Sequence, residues 1–486
     1  TRKRLPSGVV GLDTILHGGF FPGDIYLIIG QPGTGKTILA SQLCFNHIQA
    51  GGQALYVTML AETHSGLLGH LQSLAYFDET LIPEKFYLVS GYPVLADQGL
   101  DGVRKQIHQM VRQHHATMLV LEGLETVEAS APSALALKQF LLDLHAFMSA
   151  QGCTTFLVSS QASPSSSSPE HAMVDGLLNL RHLRVEMRAF REIEVKKLRG
   201  SRYMEGGHFF RISEAGVTIY PRTESVLAMP SSIAVPSSKR LGLGLENLDA
   251  MLQGGLPAGS TTMLLGAPGS GKTILSSHFL SQCQKENDKG LYFGFYETAP
   301  QLLDKARLLG IDLKSCVENG MLEIVWRSPI EDNLDGLVQE LLERVTQNGV
   351  RRLVIDGLEG FESASLYPGR VHRLFVALGN ELRALGVTTL FTIEAQNRFG
   401  PELEVPIHAA GLMADNIILL RYVALRSELY RVLSMVKMRS SAYDPAVREF
   451  KISPRGIEVA STVESAEAIL REVADPSAAP PPSTDL

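Results

Sequence analysis

Apolar, β-prone runs alternate with segments long enough to form helices along the whole chain. In the first half the runs are YLIIG, ALYVTM, MLVLEG and TTFLVSS, and two of the intervening segments are KTILASQLCFNHIQA and SALALKQFLLDLHAFMSAQ. The second half repeats the order of runs in TTMLLG, GLYFGFY, RRLVIDG and VTTLFTI. Such alternation predicts parallel strands joined by crossover helices, and runs that are apolar throughout are typical of strands covered on both faces. The pattern therefore predicts an α/β fold in which mostly parallel sheets are flanked by helices.

The chain contains an internal duplication. Lys36 and Lys272 lie 236 residues apart, and the same spacing joins Asp13 to Asp249. Around these positions GLDTILHGGFFPGDIYLIIGQPGTGKTILASQ pairs with NLDAMLQGGLPAGSTTMLLGAPGSGKTILSSH, and a repeat of more than 200 residues is a duplicated domain rather than a solenoid. The predicted boundaries are a first domain at 1–225, a Pro- and Ser-rich linker at 226–238, a second domain at 239–460, and a short helix with a mobile Pro/Ser-rich tail at 461–486.

Each copy carries a loop of the kind that binds phosphate. GQPGTGKT occupies residues 30–37 and GAPGSGKT occupies residues 266–273, each after an apolar run and before a helical segment. In this motif the backbone N–H groups converge on phosphate oxygens, the lysine reaches the β and γ phosphates, and the hydroxyl ligates Mg²⁺. Both copies are therefore expected to bind ATP with Mg²⁺. The residues expected to contact the nucleotide are Gly33, Thr34, Gly35, Lys36, Thr37 and Ile38 in the first copy and Gly269, Ser270, Gly271, Lys272, Thr273 and Ile274 in the second.

A phosphate loop of this type needs a second acid for the magnesium ion, usually at the end of a buried strand. RRLVIDGLEGF supplies Asp356 in the second copy, and TMLVLEGLETV supplies Glu122 in the first. The predicted metal-binding residues are therefore Thr37 with Glu122 and Thr273 with Asp356. Glu122 is longer by about 1.5 Å, so it either ligates the ion directly or crowds its water. Two further acids, Glu125 and Glu359, either face the same clefts or are surface acids.

Composition and charge narrow the choice of partners and compartment. The chain has 486 residues, of which 45% are hydrophobic and 20% charged, with a formal net charge of −7, so no overall positive field attracts nucleic acid. Four widely spaced cysteines without a C-x-x-C pair argue against a disulfide framework or a zinc site and fit buried apolar side chains. No apolar run approaches the roughly 20 residues that span a bilayer. We expect a cytoplasmic protein that binds neither membrane nor nucleic acid.

The repeated leading segments SGVVGLDTILHGGFFPGD and LGLGLENLDAMLQGGLPAGS, the loops, the acids and the late segments KKLRGS and KMRSS together resemble the KaiC family. This resemblance covers residues 5–460. It implies two tandem RecA-like P-loop NTPase domains and a two-tiered homohexameric ring with ATP or ADP bound between neighbouring subunits. It also implies a slow ATPase whose nucleotide state regulates a protein partner in a signalling role.

The late segments agree with that expectation. Lys197 and Arg199 alternate around Leu198, and Lys437 and Arg439 alternate around Met438, so a strand would place each pair of cations on one face. The resemblance implies that each pair reaches the nucleotide of the adjacent subunit, with Arg199 and Arg439 acting in the manner of arginine fingers. It further implies contacts from Ser201 and Ser441 to that nucleotide. A solvated basic strand edge is the alternative.

Two departures from the family pattern limit the expected chemistry. The family carries two adjacent glutamates after the second strand, whereas each copy here has one, Glu62 or Glu297, and the position of the usual base is occupied by Ala61 or Tyr296. A general base must lie within hydrogen-bond reach of its water, so Glu62 and Glu297 are the candidate substitutes and hydrolysis should be slow. The family's adjacent phosphorylated Ser-Thr pair falls on Gly411 and Leu412, so no clock-type autokinase cycle is expected.

Two other functions remain open alongside the slow ATPase. A DNA-dependent recombinase or helicase relative is compatible with RecA-like domains, but the net charge disfavours it, and so does the loop SSQASPSSSSPEHAMVDG, which has no Lys or Arg for phosphate contacts. A nucleotide-stabilised scaffold without turnover is suggested by the missing bases. Phosphate release separates the scaffold from the enzyme, and stimulation by single-stranded DNA would favour the recombinase.

Overall fold

A computed structural model describes residues 2–60, 64–160, 173–185, 187–233, 238–328, 333–395, 414–426, 428–439 and 441–474. The chain divides into two compact units, Thr1–Ser225 and Val226–Leu486. Each unit contains one phosphate loop and one large sheet, and each is considered by itself below.

The described residues of the first unit form a nine-stranded sheet in the order β3-β2-β4-β5-β1-β6-β7-β8-β9. The strands from β3 to β6 pair in parallel, and β6 to β9 continue the sheet as antiparallel neighbours. The strands are β1 (Ile25–Ile29), β2 (Ala54–Thr58), β3 (Phe86–Ser90), β4 (Met118–Glu122), β5 (Thr154–Ser159), β6 (Gly176–Val185), β7 (Arg188–Leu198), β8 (Gly207–Ser213) and β9 (Gly216–Tyr220).

Helices cover this sheet on both faces. They are α1 (Leu12–Ile15), α2 (Lys36–Gln49), α3 (His64–Leu71), α4 (Tyr92–His114), α5 (Leu124–Ser130), α6 (Ala134–Gln151) and α7 (Thr223–Val226), with a 3₁₀ turn at Glu79–Leu81. Successive side chains of β1 enter different cores: Ile28 packs in the core that includes α2, and Leu27 packs in the core that includes α4 and α6. Burial on both faces explains why the central strands are apolar throughout rather than alternating.

The second unit repeats this architecture. Its described residues form a nine-stranded sheet in the order β14-β13-β15-β16-β12-β17-β18-β19-β20, and a small antiparallel pair, β10-β11, precedes it. The strands are β10 (Arg240–Leu241), β11 (Leu256–Pro257), β12 (Thr261–Gly266), β13 (Gly290–Gly294), β14 (Leu322–Trp326), β15 (Arg352–Asp356), β16 (Thr388–Glu394), β17 (Asn416–Leu425), β18 (Glu428–Met438), β19 (Arg448–Ser453) and β20 (Gly456–Val459). The predicted α/β class with mostly parallel sheets is confirmed in both units.

Helices again flank the sheet. They are α8 (Glu246–Met251), α9 (Lys272–Ser281), α10 (Cys283–Glu286), α11 (Ala299–Leu308), α12 (Lys314–Glu318), α13 (Leu334–Asn348), α14 (Leu358–Ala364), α15 (Pro368–Ala384) and α16 (Glu464–Ala474). The last of these is the helix predicted from ESAEAILREVA. The tail predicted after it lies outside the described residues. All four cysteines are buried and unbridged, as their spacing predicted.

The antiparallel end of each sheet places the late cations at the end of a strand. Strand β7 ends at Leu198 and β18 ends at Met438, so Arg199 and Arg439 lie just beyond the strands that were expected to carry them. A register shift lies just before these cations, because Leu177 pairs with Lys197 whereas Leu178 pairs with Val195. The equivalent shift occurs in β18. Each arginine still continues the backbone pairing, because the Arg199 N–H donates to the Asp175 carbonyl at 2.7 Å and the Arg439 N–H donates to the Asp415 carbonyl at 3.0 Å.

Candidate nucleotide sites

The first phosphate loop connects the end of β1 to the start of α2. Gly35 precedes the helix with a φ of 106°, a backbone conformation that strains any residue with a side chain, and a β-carbon there would also displace the end of the Ile212 side chain. The Lys36 ammonium donates to the carbonyl oxygens of Gly30 at 2.6 Å and Gln31 at 3.0 Å. Burial lowers the pKa of Lys36, and the nearby Glu125 and Glu122 carboxylates oppose that shift. The lysine is therefore held over the loop, where the motif requires a cation.

The second loop has the same geometry between β12 and α9. Gly271 has a φ of 108°, and the Lys272 ammonium donates to the carbonyl oxygens of Gly266 at 2.9 Å and Ala267 at 3.1 Å. Burial also lowers the pKa of Lys272, and the acids of its cleft oppose the shift. The hydroxyl of Ser270 is buried and has no hydrogen-bond partner among the described residues. A buried donor of this kind fits an oxygen-rich ligand such as a phosphate group.

The predicted metal-binding residues meet in both units. Thr37 donates to the Glu122 carboxylate at 2.5 Å, and Thr273 donates to the Asp356 carboxylate at 3.0 Å. Both acids are buried at the ends of β4 and β15. Each pair offers a hydroxyl and a carboxylate oxygen to one place beside the loop, which is the donor chemistry that Mg²⁺ prefers. The residues therefore fit the ion that the motif implies.

Sequence reasoning missed a tyrosine in each site. Tyr56 donates to the second Glu122 oxygen at 2.7 Å, and Tyr292 donates to Asp356 at 2.6 Å. Burial raises the pKa of both phenols, so each remains protonated and acts as a donor. The signal was available, because ALYVTM and GLYFGFY place a tyrosine at the repeat spacing of 236 residues. What the sequence did not show is that the second strand lies beside the strand that carries the acid.

Asp356 and Glu122 have different neighbours on the adjacent strand. Thr392 in β16 donates to Asp356 at 2.5 Å and accepts from the backbone N–H of Gly357 at 2.8 Å. In the first unit the residue paired with Glu122 is Val158, which has no hydroxyl. Three hydroxyl groups therefore orient the shorter aspartate, whereas Thr37 and Tyr56 orient the longer glutamate.

Glu125 and Glu359 come three residues after the metal-binding acids, and each accepts a hydrogen bond from the backbone at the end of the neighbouring strand, β5 or β16. Glu125 accepts from the backbone N–H of Ser160 at 3.1 Å, and Glu359 accepts from the backbone N–H of Glu394 at 2.7 Å. Glu359 lines the cleft of the second loop together with Lys272, Asp356, Thr392 and Glu394. Of the two alternatives that the sequence left open for Glu359, its position favours the one in which it faces the cleft.

The structure describes only one of the two glutamates that the sequence proposes as bases. Glu62, with Ala61 and Thr63, lies outside the described residues. Glu297 lines the second cleft and forms an ion pair with Lys305 through one carboxylate oxygen, while its other oxygen is buried with no partner among the described residues. Tyr296 lies over Gly357 and directs its hydroxyl towards Glu359 at 3.4 Å. Burial raises the pKa of Tyr296, so the phenol does not serve as a base.

In each unit the late cations lie near an aspartate that precedes the first antiparallel strand. Arg199 lies 3.6 Å from Asp175, and Arg439 lies 3.8 Å from Asp415. Burial lowers the pKa of Lys197 and of Lys437, and the neighbouring arginine lowers each further. Lys437 also donates to the Ala414 carbonyl at 2.7 Å.

The two serines that follow these cations have partners within the chain. Ser201 accepts from Arg4, and Ser441 accepts from Arg240 at 2.5 Å. Each serine hydroxyl also donates to the carbonyl oxygen of the next residue at 2.7 Å. Leu198 and Met438 are buried beneath these groups. The segments are thus built alike in both units.

Both units have the same sheet order, the same loop and the same threonine–acid pair, and comparison with known families matches both. The family model for the KaiC ATPase covers residues 5–224 and, again, residues 241–464. The chain belongs to the KaiC family. Each KaiC match spans one complete phosphate loop and its acid. The chain is therefore a tandem P-loop ATPase, as its motifs predicted.

Curated KaiC proteins align with almost the whole chain. The circadian clock oscillator protein KaiC of Thermostichus vulcanus is 26% identical over 479 residues, which cover 96% of this chain and 91% of that protein. The KaiC of Synechococcus elongatus is 26% identical over 478 residues, with the same coverage. The KaiC 1 of Synechocystis sp. is 25% identical over 482 residues. The similarity to KaiC therefore extends over both domains rather than over the loops alone.

Two further observations concern groups other than the nucleotide. Among the described residues, no helix combines the length and apolar character needed to cross a membrane. In the same part of the chain, no group of three or more His, Cys, Asp or Glu side chains is arranged to hold a metal ion. The KaiC phosphorylation positions, Gly411 and Leu412, lie outside the described residues, so the absence of an autokinase cycle stays a prediction.

Proposed function

We propose that this chain hydrolyses Mg-ATP slowly and forms a two-tiered homohexameric ring whose nucleotide state controls a protein partner. The observation that carries the proposal is the paired geometry of Thr37 with Glu122 and of Thr273 with Asp356, each beside a buried loop lysine. These residues would hold Mg²⁺, which neutralises phosphate charge during transfer. Lys36 and Lys272 would contact the β and γ phosphates.

The arginines at the strand ends support the hexameric part of the proposal. The side chains of Arg199 and Arg439 are 54% and 57% exposed, and their ion pairs with Asp175 and Asp415 are long. A guanidinium held in this way is oriented yet accessible to another copy of the chain. We infer that Lys197, Arg199 and Ser201 in one tier, and Lys437, Arg439 and Ser441 in the other, complete the nucleotide site of the adjacent subunit.

The proposal also includes the domain boundaries and the cellular compartment. We infer that 226–238 connects domains at 1–225 and 239–460, and that the protein acts in the cytoplasm. Part of the linker is anchored, because the backbone N–H of Ser231 donates to Glu381 at 2.8 Å and Ser232 donates to the Ala384 carbonyl at 3.0 Å. Glu62 and Glu297 are the bases that the sequence proposes, and the ion pair of Glu297 with Lys305 leaves that role in the second site open to another acid.

One observation favours a second candidate, a nucleotide-stabilised scaffold. Glu297 is ion-paired with Lys305, which occupies one of the two carboxylate oxygens that a base would use. In that case ATP would hold the ring together without measurable turnover.

Native mass measurement and phosphate release together test both candidates. We expect hexamers in ATP, smaller species without nucleotide, and phosphate release that exceeds that of a Lys36→Ala, Lys272→Ala double variant. Release equal to that of the double variant, with ATP-dependent hexamers, would select the scaffold. A monomer under all three conditions of ATP, ADP and no nucleotide would reject the intersubunit roles of Arg199 and Arg439, and stimulation by single-stranded DNA would favour the recombinase.

A further inference from the structure

The carboxyl end of β16 brings an additional acid, Glu394, to the second nucleotide cleft. Glu394 pairs in register with Gly266, the first residue of the phosphate loop, and the following N–H, that of Ala395, donates to the Gly266 carbonyl at 3.1 Å. The residue lines the same cleft as Lys272 and Thr273. Its backbone is fixed on the other side by Glu359, which accepts from the Glu394 N–H at 2.7 Å. Glu394 is therefore positioned by two strands and a helix in the cleft that Lys272 also lines.

The other acids of this cleft are already engaged. Asp356 accepts hydrogen bonds from three hydroxyl groups. Glu359 uses one oxygen for the Glu394 N–H and the other for the Tyr296 hydroxyl. Glu297 is ion-paired with Lys305. Within the part of the chain that the structure describes, the exposed Glu394 carboxylate has neither a hydrogen bond nor an ion pair, although its charge acts on Lys272.

We propose that Glu394 is the general base of the second site. The inference rests on the proposed ATPase function and adds the residue that accepts the proton. The attacking water forms a bond to the γ-phosphorus, the bond between that phosphorus and the β–γ bridging oxygen breaks, and the water proton passes to the Glu394 carboxylate. The products are ADP and inorganic phosphate. Such a base contributes about 10²–10⁴-fold to a rate.

The first unit lacks this group. The residue whose N–H anchors Glu125 is Ser160, in the place that Glu394 takes opposite Glu359. A serine hydroxyl does not accept a proton at neutral pH, so the two tiers differ in their proton acceptors. The second tier would therefore use Glu394, and any turnover in the first tier would depend on another group.

Phosphate release by the full chain in a Lys36→Ala background isolates the second site. In that background we expect Glu394→Gln to lower release by about 10²-fold or to the level of the Lys36→Ala, Lys272→Ala double variant. The affinity for a fluorescent ATP analogue should stay equal or increase, because one negative charge beside the triphosphate is removed. Glu362→Gln is the matched control, since Glu362 is an acid on α14 that does not line the cleft. It should leave release unchanged.

A rescue measurement distinguishes a base from a residue that only supports the fold. Glu394→Ala removes the carboxylate and leaves space, so added sodium formate should restore part of the release, whereas sodium chloride at the same ionic strength should not.

The other possible results show whether the ATPase proposal or the role of Glu394 is wrong. If the Lys36→Ala background releases no more phosphate than the double variant, both the proposed turnover at this site and the role of Glu394 are wrong. If the background turns over and Glu394→Gln retains its rate, or if Glu297→Gln alone abolishes it, the ATPase stands and Glu394 is not the base. Loss of analogue binding in Glu394→Gln would show a structural role and would also overturn the inference.

Discussion

The hydroxyl of Tyr292 donates a 2.6 Å hydrogen bond to the carboxylate of Asp356, and both groups are buried. The acid that is expected to face the magnesium ion is therefore oriented from behind by a phenol on the adjacent strand, β13. The first unit repeats the arrangement with Tyr56 and Glu122. Residues that orient a metal ligand influence affinity or activity by about 10–100-fold when they are removed.

Removal of the Tyr292 hydroxyl tests this orientation. We expect Tyr292→Phe to reduce Mg-ATP affinity or phosphate release at the second site by about 10-fold, because Asp356 keeps only its two threonine donors. Titration of a fluorescent ATP analogue against Mg²⁺ in the Lys36→Ala background measures the effect. Tyr430→Phe is the control, since Tyr430 is only partly buried and donates to the exposed acid Glu428. Equal Mg²⁺ dependence in wild type and Tyr292→Phe would contradict the prediction.

We expect the effect of shortening Glu122 on Mg-ATP affinity to depend on the residue at position 158 of the next strand. Glu122→Asp shortens the side chain by about 1.5 Å, so it loses its contacts with Thr37 and Tyr56, and we expect about 10-fold weaker Mg-ATP binding at the first site. Val158→Thr added to that variant recreates the pairing of Asp356 with Thr392 and should recover part of the affinity.

Analogue binding in a Lys272→Ala background, compared among both single variants and the double variant, measures this coupling. Val158→Thr alone should change little, because Glu122 already reaches its donors. Additive effects of the two substitutions would show that the strands do not cooperate in this way.

A buried histidine predicts a pH dependence of stability in the second unit. His278 accepts from the backbone N–H of Ile457 at 3.0 Å, and burial lowers the pKa of His278 to about 4. Because the folded pKa is below the unfolded value of 6.5, the unfolded state binds the proton first, so stability is complete above pH 6.5 and decreases as the pH falls towards 4. The loss is about 3 kcal/mol.

Urea unfolding of wild type and His278→Gln at several pH values between 7 and 4 isolates that contribution. The amide oxygen of glutamine is able to accept from Ile457 but does not titrate, so the difference in unfolding free energy between the two proteins should shrink as the pH falls. A difference that is constant across the range would contradict the assignment.

The absence of a clock-type phosphorylation site is testable by mass spectrometry. Residues 400–416 contain no Ser or Thr, and the positions of the family's phosphorylated pair are Gly411 and Leu412. We expect no phosphopeptide from this stretch after incubation with Mg-ATP. Stoichiometric phosphate on a neighbouring hydroxyl would indicate a shifted site and an autokinase.

The phosphate loops and their acids were predictable because each depends on contiguous residues. A loop glycine, lysine and threonine lie within one turn of chain, and the acid ends the apolar run that buries it, so Thr37 with Glu122 and Thr273 with Asp356 were paired from spacing alone. The duplication strengthened both assignments, since an accidental motif does not recur at matching positions.

The groups that refine the site come from strands that are distant in sequence. Thr392 reaches Asp356 because β16 lies beside β15, and Glu394 reaches the loop because β16 also lies beside β12. Strand order is not encoded in the hydrophobic pattern of any one segment, so neither residue was identified beforehand. The sequence also did not show where β7 and β18 end, which is one residue before Arg199 and Arg439.

The sequence by itself determined the α/β class, the duplication, the two nucleotide loops and the acid of each site, because these follow from local periodicity, motif chemistry and a fixed repeat spacing. Only the tertiary structure decided which hydroxyls hold each acid, that Glu297 is paired with Lys305, and that Glu394 in one unit stands where Ser160 stands in the other. Those relationships depend on which strands become neighbours, and that is set by the packing of the whole sheet between its two cores.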